Sequence, residues 1–183
     1  MNKKTLKLIT TITAFVMGIA VLVMFFVNCA KLQGEAKEIA TLNTVVTYEE
    51  YKGYNILFGA SLEGREILVF SWGYLFAFLL PLIAIILIAV KFFIKKHEIC
   101  FNGTAIILFI VSAILFFITT RLVNISEGTQ TAMDIYVNVS KVMGIDLVYS
   151  TKISIGAILG GIFSIIGAIA VSLEIAIDKL VKE

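Results

Sequence analysis

The stretch ISIGAILGGIFSIIGAIAVSL, residues 153–173, contains no Asp, Glu, Lys, Arg or His. At about 1.5 Å of rise per residue, a helix of this length measures roughly 30 Å, which is the thickness of the hydrocarbon core of a bilayer. Residues 8–29, 68–90 and 104–120 are equally free of charge, and we expect the shortest of them to borrow residues from 101–103 or 122–123. We therefore predict four transmembrane helices, at 8–29, 68–90, 104–123 and 153–173.

The composition of the whole chain agrees with a membrane protein. Of its 183 residues, 60% are hydrophobic and 15% are charged, and the mean hydropathy is +1.01. The first helix is too long for a cleaved signal peptide, whose apolar region has about 7–15 residues. Because the helices occupy roughly half of the chain, no segment remains for a second unit with its own core. We predict one domain, residues 1–183, folded as an all-α transmembrane four-helix bundle with a small extracellular β-hairpin or mixed cap.

The basic residues predict the orientation of the bundle, because loops on the cytoplasmic side are enriched in Lys and Arg. With both termini inside, eight cations fall in three short inner segments and seven in the longer outer ones. Acidic residues increase the difference in net charge between the two sides, since four of them lie inside and nine outside. We predict a multi-pass protein of the cell (plasma) membrane with cytoplasmic N and C termini. The inner cations are Lys3, Lys4, Lys7, Lys91, Lys95, Lys96, Lys179 and Lys182.

The outer segments, 31–67 and 122–151, allow more than one structure, whereas 91–102 forms a short inner turn. Residues 31–40, KLQGEAKEIA, are compatible with an outward extension of the first helix. Beyond them, TVVTYEEYKGYNILF and REILVF flank the turn sequence GASLEG and predict a hairpin whose second strand runs into the second helix. A short helix over 54–58 is the alternative. In 122–151, apolar residues at helical spacing favour an amphipathic helix continuing from the third span, although 135–140 also alternates as a strand does.

Small residues recur at every fourth position along the last helix. Such a ridge lets another helix approach closely, and van der Waals contact then supplies the attraction that hydrophobicity cannot supply in lipid. We interpret the ridge first as helix packing within the bundle, and alternatively as the interface for a partner or a second copy. The residues at this spacing are Gly156, Gly160, Ser164 and Ala168, and Gly161 lies beside them.

Several other residues of the helices have structural interpretations. Pro81 lies in the middle of the second helix, cannot donate to the carbonyl four residues earlier, and predicts a helix kink. Trp72 and Tyr74 lie at the outer end of that helix and are predicted to be interfacial anchors. Cys29 and Cys100 fall on opposite sides of the bilayer and cannot form a disulfide within one chain. We expect both cysteines to be small apolar fillers, with lipidation of Cys100 or an intermolecular bridge through Cys29 as the alternatives.

The residues that are missing exclude several functions. The predicted spans hold no ionisable side chain, whereas proton-coupled transporters, pumps and voltage sensors need such groups at membrane depth. The single histidine, His97, has no second His or Cys at metal-ligand spacing, and no glycine-rich phosphate loop, nucleophile elbow or HExxH motif occurs. We therefore expect no catalytic residues, no metal, no cofactor and no nucleic-acid partner, and hence no enzymatic activity.

The order of parts resembles the layout of claudin-type tetraspan proteins: two helix pairs, a long first outer segment, a tight inner turn and a shorter second outer segment. The resemblance is one of topology, since the Trp and Cys residues of the claudin first-loop signature are absent from 31–67. The stretch YKGYNILFG at 51–59, followed by Leu79, Leu80 and Pro81, resembles small uncharacterised bacterial four-helix integral membrane proteins. That resemblance implies no function.

We therefore expect an integral membrane scaffold or accessory subunit. It would act through protein–protein contacts of its outer segments and of the small-residue face of the last helix. The alternative is an oligomeric channel or transport component, because one chain lacks the polar lining that a pore needs. The expected partners are membrane lipids and either a second copy of the chain or another membrane protein.

Overall fold

The computed structural model describes residues 3–38, 44–91, 93–94 and 97–180. Residues 39–43 of the first outer segment, and 92, 95 and 96 of the inner turn, lie outside the described part. Four helices are long and apolar enough to cross a membrane, which supports a multi-pass membrane protein with the predicted tetraspan layout. They are α1 (Lys3–Val23), α3 (Trp72–Val90), α4 (Glu98–Phe117) and α7 (Ile155–Leu180). The shorter helices are α2 (Gly53–Phe58), α5 (Thr119–Leu122) and α6 (Glu127–Val142).

The ends of the long helices differ from the prediction. Helix α1 ends at Val23, followed by a 3-10 turn (Met24–Phe26), and not at residue 29, because Asn28 already begins a β-strand. Helix α4 occupies 98–117 where 104–123 was predicted, and α3 begins at residue 72 rather than 68. Helix α7 begins at 155 and continues to 180, beyond the predicted end at 173, so charged residues that were assigned to the tail belong to the helix.

A three-stranded antiparallel sheet stands on one end of the bundle. Its strand order is β2-β1-β5, with β1 (Asn28–Glu38) in the centre, β2 (Thr44–Lys52) on one side and β5 (Ile145–Ile153) on the other. The predicted fold class is supported in its coarser form, a mostly helical chain with four candidate membrane helices and a small antiparallel sheet. The predicted helical extension is wrong over 31–38, where β1 lies. These residues have helix-forming composition, but two neighbouring strands supply backbone hydrogen bonds along the whole stretch, and such long-range pairing overrides local propensity.

The rest of the first segment contains both of the structures that the sequence allowed. Helix α2 covers the alternative short helix at 54–58, while β3 (Ala60–Leu62) and β4 (Arg65–Leu68) form a hairpin. Its turn uses Glu63 and Gly64, whose φ angles of 50° and 78° are the two positive values that a type I′ turn requires. The predicted partner strands are wrong, because β2 pairs with β1 and not with β4. Strand β4 also stops short of α3.

The second segment contains the predicted amphipathic helix, which is confirmed as α6. It does not continue from α4, since the chain leaves the helix after α5 and starts again at Ser126, whose side chain accepts a hydrogen bond from the backbone N–H of Thr129. After α6 the chain reverses at Gly144, with φ 76°, and returns to the bundle as β5, a strand that the sequence analysis did not predict. We call residues 28–38, 44–71 and 118–154 the cap.

Helix α7 packs against α1 and α4, and α3 packs against α4. Phe109 and Phe116 are fully buried between the helices. Helix α3 is continuous through Pro81, and the carbonyl of Ala77, which Pro81 leaves without its helical donor, accepts a hydrogen bond from Ser112 Oγ of α4 at 2.8 Å. A neighbouring helix thus satisfies the backbone group that proline releases, as buried backbone in a membrane requires. The kink itself stays a prediction.

Candidate functional sites: a buried charge cluster and a cap groove

The first turns of α1, the last turns of α7, the end of α3 and the start of α4 meet at one end of the bundle, which we call the terminal end. Four side chains, one from each long helix or its end, converge there: Thr11, Lys91, Asn102 and Glu174. The Lys91 ammonium lies 2.5 Å from Glu174 Oε2, and it donates to Asn102 Oδ1 at 3.2 Å and to Thr11 Oγ1 at 3.4 Å. The Thr11 hydroxyl donates to Glu174 Oε2 at 2.9 Å. We call these four residues the charge cluster.

The charge cluster is almost completely shielded from solvent, since the side chains of Lys91 and Glu174 are 4% and 2% exposed. Further ion pairs surround it. Lys7 Nζ lies 2.9 Å from Glu98 and 2.6 Å from Asp178, and Lys3 Nζ lies 3.6 Å from Asp178. These pairs connect α1 with α4 and α7, so the terminal end is held together by charges that face each other across helices.

The charge cluster could not be recognised in the sequence because of where the predicted spans ended. They ended at residues 90 and 173, and the buried ions are residues 91 and 174. The predicted spans hold no ionisable group, but the observed helices extend beyond them: α7 continues through Glu174, and α1 and α4 include Lys7 and Glu98. A buried ion pair is tolerated when additional hydrogen bonds accompany it, and Thr11 and Asn102 provide them here. The sequence did contain one signal for the charge cluster: Lys91 and Glu174 are each the first charged residue after a predicted span.

The small-residue face of α7 contacts other parts of the same chain. A Cβ atom placed on Gly160 would lie 2.9 Å from the Phe116 ring of α4. A Cβ atom placed on Gly156 would lie 2.7 Å from the backbone oxygen of Asn28, where β1 begins. A partner helix would have to displace these neighbours. All five residues of the predicted face are buried: Gly156, Gly160, Gly161, Ser164 and Ala168.

The two predicted interfacial anchors have different surroundings. Trp72, the first residue of α3, is 69% exposed. Tyr74 is fully buried and packs edge to face against the rings of Phe78 and Phe116, at centroid distances of 5.3 and 6.1 Å. The side chains of residues two positions apart in a helix differ in direction by about 200°, so Trp72 points outward when Tyr74 points inward. The prediction that Tyr74 lies at a lipid interface is therefore wrong.

The two cysteines lie at opposite ends of the bundle and both are free thiols. Cys29 is buried at the start of β1, where its Sγ lies 3.3 Å from the carbonyl oxygen of Met24. Burial raises the pKa of the Cys29 thiol to about 11. Cys100 is exposed in the first turn of α4. In the described part of the chain, no three His, Cys, Asp or Glu side chains lie close enough together to hold a metal ion.

A groove of about 1700 Å³ opens on the cap. Its floor is one face of the sheet. Leu32 and Gly34 are two positions apart in β1 and so share this face, and Gly34 lies opposite Tyr149 of β5. A Cβ atom at position 34 would lie only 3.1 Å from the Tyr149 ring, so the absence of a side chain lets that ring lie across the floor. One wall is the β3–β4 hairpin and the other is the first half of α6.

Hydrogen bonds connect the two walls of the groove at Glu66 and Ile67. The backbone N–H of Ser126 donates to the carbonyl of Ile67 at 2.9 Å, and the Thr129 hydroxyl donates to the carbonyl of Glu66 at 2.9 Å. Because these bonds join β4 to the beginning of α6, the shape of the groove is set by the folded chain and does not depend on a ligand.

The lining of the groove is acidic. It has four carboxylates and one guanidinium, a net charge of −3. The ion pairs found among the described residues all lie at the terminal end, and none of them involves a side chain of the groove. Burial, together with the hydrogen bond that its hydroxyl donates to Glu49 at 2.7 Å, raises the pKa of Tyr51. The charged residues of the lining are Glu49, Glu63, Arg65, Glu66 and Glu127.

Apolar side chains are exposed at the end of the cap that is farthest from the bundle. None of the residues of α6 is buried, and Val142 and Met143 at its end are 89% and 71% exposed. Strand β5 runs from this point back to α7, so these residues lie a full strand length away from the helices. Valines of β2 and β5 are exposed at the same end of the sheet. We call this set the apolar tip: Val45, Val46, Val142, Met143 and Val148.

Comparison of the chain with protein-family models gives no match, and comparison with curated proteins gives none either. The likeness to claudin-type tetraspan proteins is therefore confined to the layout of four helices.

Proposed function

We propose that this chain is an integral membrane scaffold or accessory subunit that binds another protein through its cap. The apolar tip is the observation that supports the proposal. These side chains are exposed at one end of the sheet, and exposed apolar surface on a part of a protein that faces water favours interaction with other proteins. Nine residues of β5 separate Val142 and Met143 from α7, a distance of about 30 Å at the rise of an extended strand, and this distance from the spans supports a water-exposed position for them.

The interior of the bundle supports a structural rather than a conducting role for the single chain. Phe109 and Phe116 are completely buried between the helices, and the Ser112 hydroxyl is engaged with a backbone carbonyl. The polar side chains of the charge cluster hydrogen bond to one another across the helices. We base the proposal on the cap and not on the small-residue face, because the chain's own α4 and β1 contact that face.

We further propose that the terminal end faces the cytoplasm of the cell (plasma) membrane and that the cap lies outside. The excess of lysine near the termini supports this orientation. Cys100 provides a test, since it is exposed at the terminal end while Cys29 is buried with a pKa of about 11 and stays protonated near neutral pH. A membrane-impermeant maleimide should label Cys100 only after the cells are opened. Labelling in intact cells would reverse the orientation.

Site-specific photo-crosslinking in native membranes tests the proposed interaction. A benzophenone amino acid at Val142 should give a discrete protein adduct, because this position is the most exposed of the apolar tip. The matched control is Ile107 of α4, which is also exposed but lies in a span, and it should give lipid adducts only. The mass of the complex in native lipid discs should then show a second protein at fixed stoichiometry.

Two results would contradict the scaffold proposal. One is the absence of a protein adduct at Val142 together with a complex mass equal to that of one chain. The other is a closed homo-oligomer that conducts ions after reconstitution from the purified chain alone, which would establish the channel alternative.

A further inference from the structure

We propose that the cap groove binds a cationic polypeptide segment of the partner protein, an inference that rests on the proposed function. The segment would carry lysine or arginine side chains and lie in an extended conformation between the sheet and α6. Three properties of the groove support this occupant: its size, the charge of its lining and the aromatic rings on its floor.

The size of the groove fits a polypeptide better than a small molecule. Its volume is about 1700 Å³, whereas sites for small ligands measure roughly 300–1,000 Å³. A second cavity of about 380 Å³ adjoins it between α6 and β5, with five lining residues in common, which adds to the space for a polypeptide. The shared residues are Leu32, Ile125, Gln130, Met133 and Tyr149.

The charge of the groove specifies a cationic occupant. Glu63, Glu66 and Glu127 are exposed around it, and within the described part of the chain none of them lies in an ion pair. The single cation, Arg65, leaves an excess of three negative charges. The second cavity adds Asp134, Asp146 and Lys141, which extends the acidic lining toward β5. A positively charged segment is attracted to such a surface and an acidic one is repelled.

Aromatic rings give the groove a second means of binding cations. Tyr136 and Tyr149 belong to its lining, and neither is buried. An ammonium or guanidinium group within about 6 Å of a ring face is attracted by the ring quadrupole. The cap already contains this interaction, since Lys31 Nζ lies 5.3 Å from the centre of the Tyr48 ring. A lysine or arginine side chain in the groove can therefore interact with both carboxylates and aromatic rings.

Binding of a defined cationic peptide tests the proposal. The full chain is placed in discs of phosphatidylcholine, which carry no net charge, and fluorescein-labelled hexa-arginine is titrated in at 0.15 M salt, with hexa-glutamate as the negative probe. The test variant is Glu66→Gln/Glu127→Gln. The matched control, Glu35→Gln/Glu50→Gln, removes the same number of charges from the cap outside the groove lining.

We expect hexa-arginine to bind the unmodified chain, and the test variant to lose about tenfold in affinity while the control changes less than about twofold, because the location of the charges and not their sum determines binding. Arg65→Gln should increase the affinity. Equal losses in both double variants, or equal binding of the two peptides, would overturn the proposal. So would formation of a dimer that hexa-arginine does not displace, because the groove would then hold a second copy.

The result is separable from that of the photo-crosslinking experiment. If Val142 forms a protein adduct but hexa-arginine does not bind, the scaffold function stands and the cationic segment is wrong. If Val142 forms no adduct and the complex is a single chain, the scaffold function falls whatever the peptide does.

Discussion

The terminal end and the cap use charged residues in opposite ways. At the terminal end Lys91 and Glu174 are buried and lie 2.5 Å apart, and the surrounding ions are paired as well. In the cap, the carboxylates of the groove are exposed and none of them has a partner in the ion pairs of the described residues. The same residue types thus close the bundle at one end and, in the function proposed above, recognise a partner at the other.

Solvation explains the difference between the two ends. Removing an ion from water costs several kcal/mol, so a charge stays buried only where an opposite charge and further hydrogen bonds compensate it. An exposed carboxylate keeps its water and needs no partner to be stable. Substitutions at the terminal end should therefore change the stability of the fold, and substitutions in the groove should change binding.

The largest effect is expected from Lys91→Met. This substitution leaves Glu174 as an uncompensated buried charge, and we expect a loss of about 3–5 kcal/mol in the free energy of unfolding. Denaturant titration in detergent micelles measures it. Lys91→Met/Glu174→Met should recover part of the loss, because no isolated ion remains, although Thr11 and Asn102 then lack partners.

Lys3→Met is the control for this prediction. Lys3 lies 3.6 Å from Asp178, but its side chain is 35% exposed, so its removal should cost less than about 1 kcal/mol. If Lys3→Met were as damaging as Lys91→Met, burial would not be what distinguishes the charge cluster.

The second largest effect is expected where the cap joins the bundle. In Gly156→Ala, the new Cβ atom would lie 2.7 Å from the backbone oxygen of Asn28, which is less free to move than a side chain. We expect a loss of about 1–3 kcal/mol. Gly103→Ala in α4 meets nothing within 4 Å and should instead gain up to about 1 kcal/mol of helix propensity. The same titration measures both, and a gain at position 156 would contradict the close contact.

The sequence predicts the bundle well because hydrophobic length is a local property. Four apolar stretches were visible without any knowledge of their neighbours, and each corresponds to a long helix. Strand β1 was not predictable in the same way, because it is stabilised by pairing with β2 and β5. Gly34 and Tyr149, which lie opposite each other in β1 and β5, are more than a hundred positions apart in the sequence. Contacts between distant residues leave no periodic signal in a short stretch.

The two candidate sites were hidden for different physical reasons. The charge cluster was excluded because a helix was taken to stop at its first charge, whereas Glu174 remains in the helix when Lys91 neutralises it. The acidic side chains of the groove were recognised only as surface residues. Glu66 and Glu127 come together because Ser126 and Thr129 bind the backbone of β4, which sequence alone does not reveal.

A smaller effect is expected inside the bundle between the two ends. Ser112→Ala removes the hydrogen bond to the Ala77 carbonyl, and we expect a loss of about 0.6–1.7 kcal/mol, as for other hydrogen bonds between membrane helices. In the Pro81→Ala background the restored backbone N–H can donate to the same carbonyl, so the loss should shrink. A double-mutant cycle measures this coupling. An equal loss in both backgrounds would mean that Ser112 stabilises the bundle independently of proline.

The smallest change in stability is expected from Glu66→Gln/Glu127→Gln in the groove. Both side chains are exposed, and substitutions of such residues usually change the free energy of unfolding by no more than about 0.5 kcal/mol. The same variant should lose affinity for hexa-arginine, so binding and stability are separated in one protein. A stability loss comparable to that of Lys91→Met would show that these carboxylates are part of the folded framework, and the contrast between the terminal end and the cap would then fail.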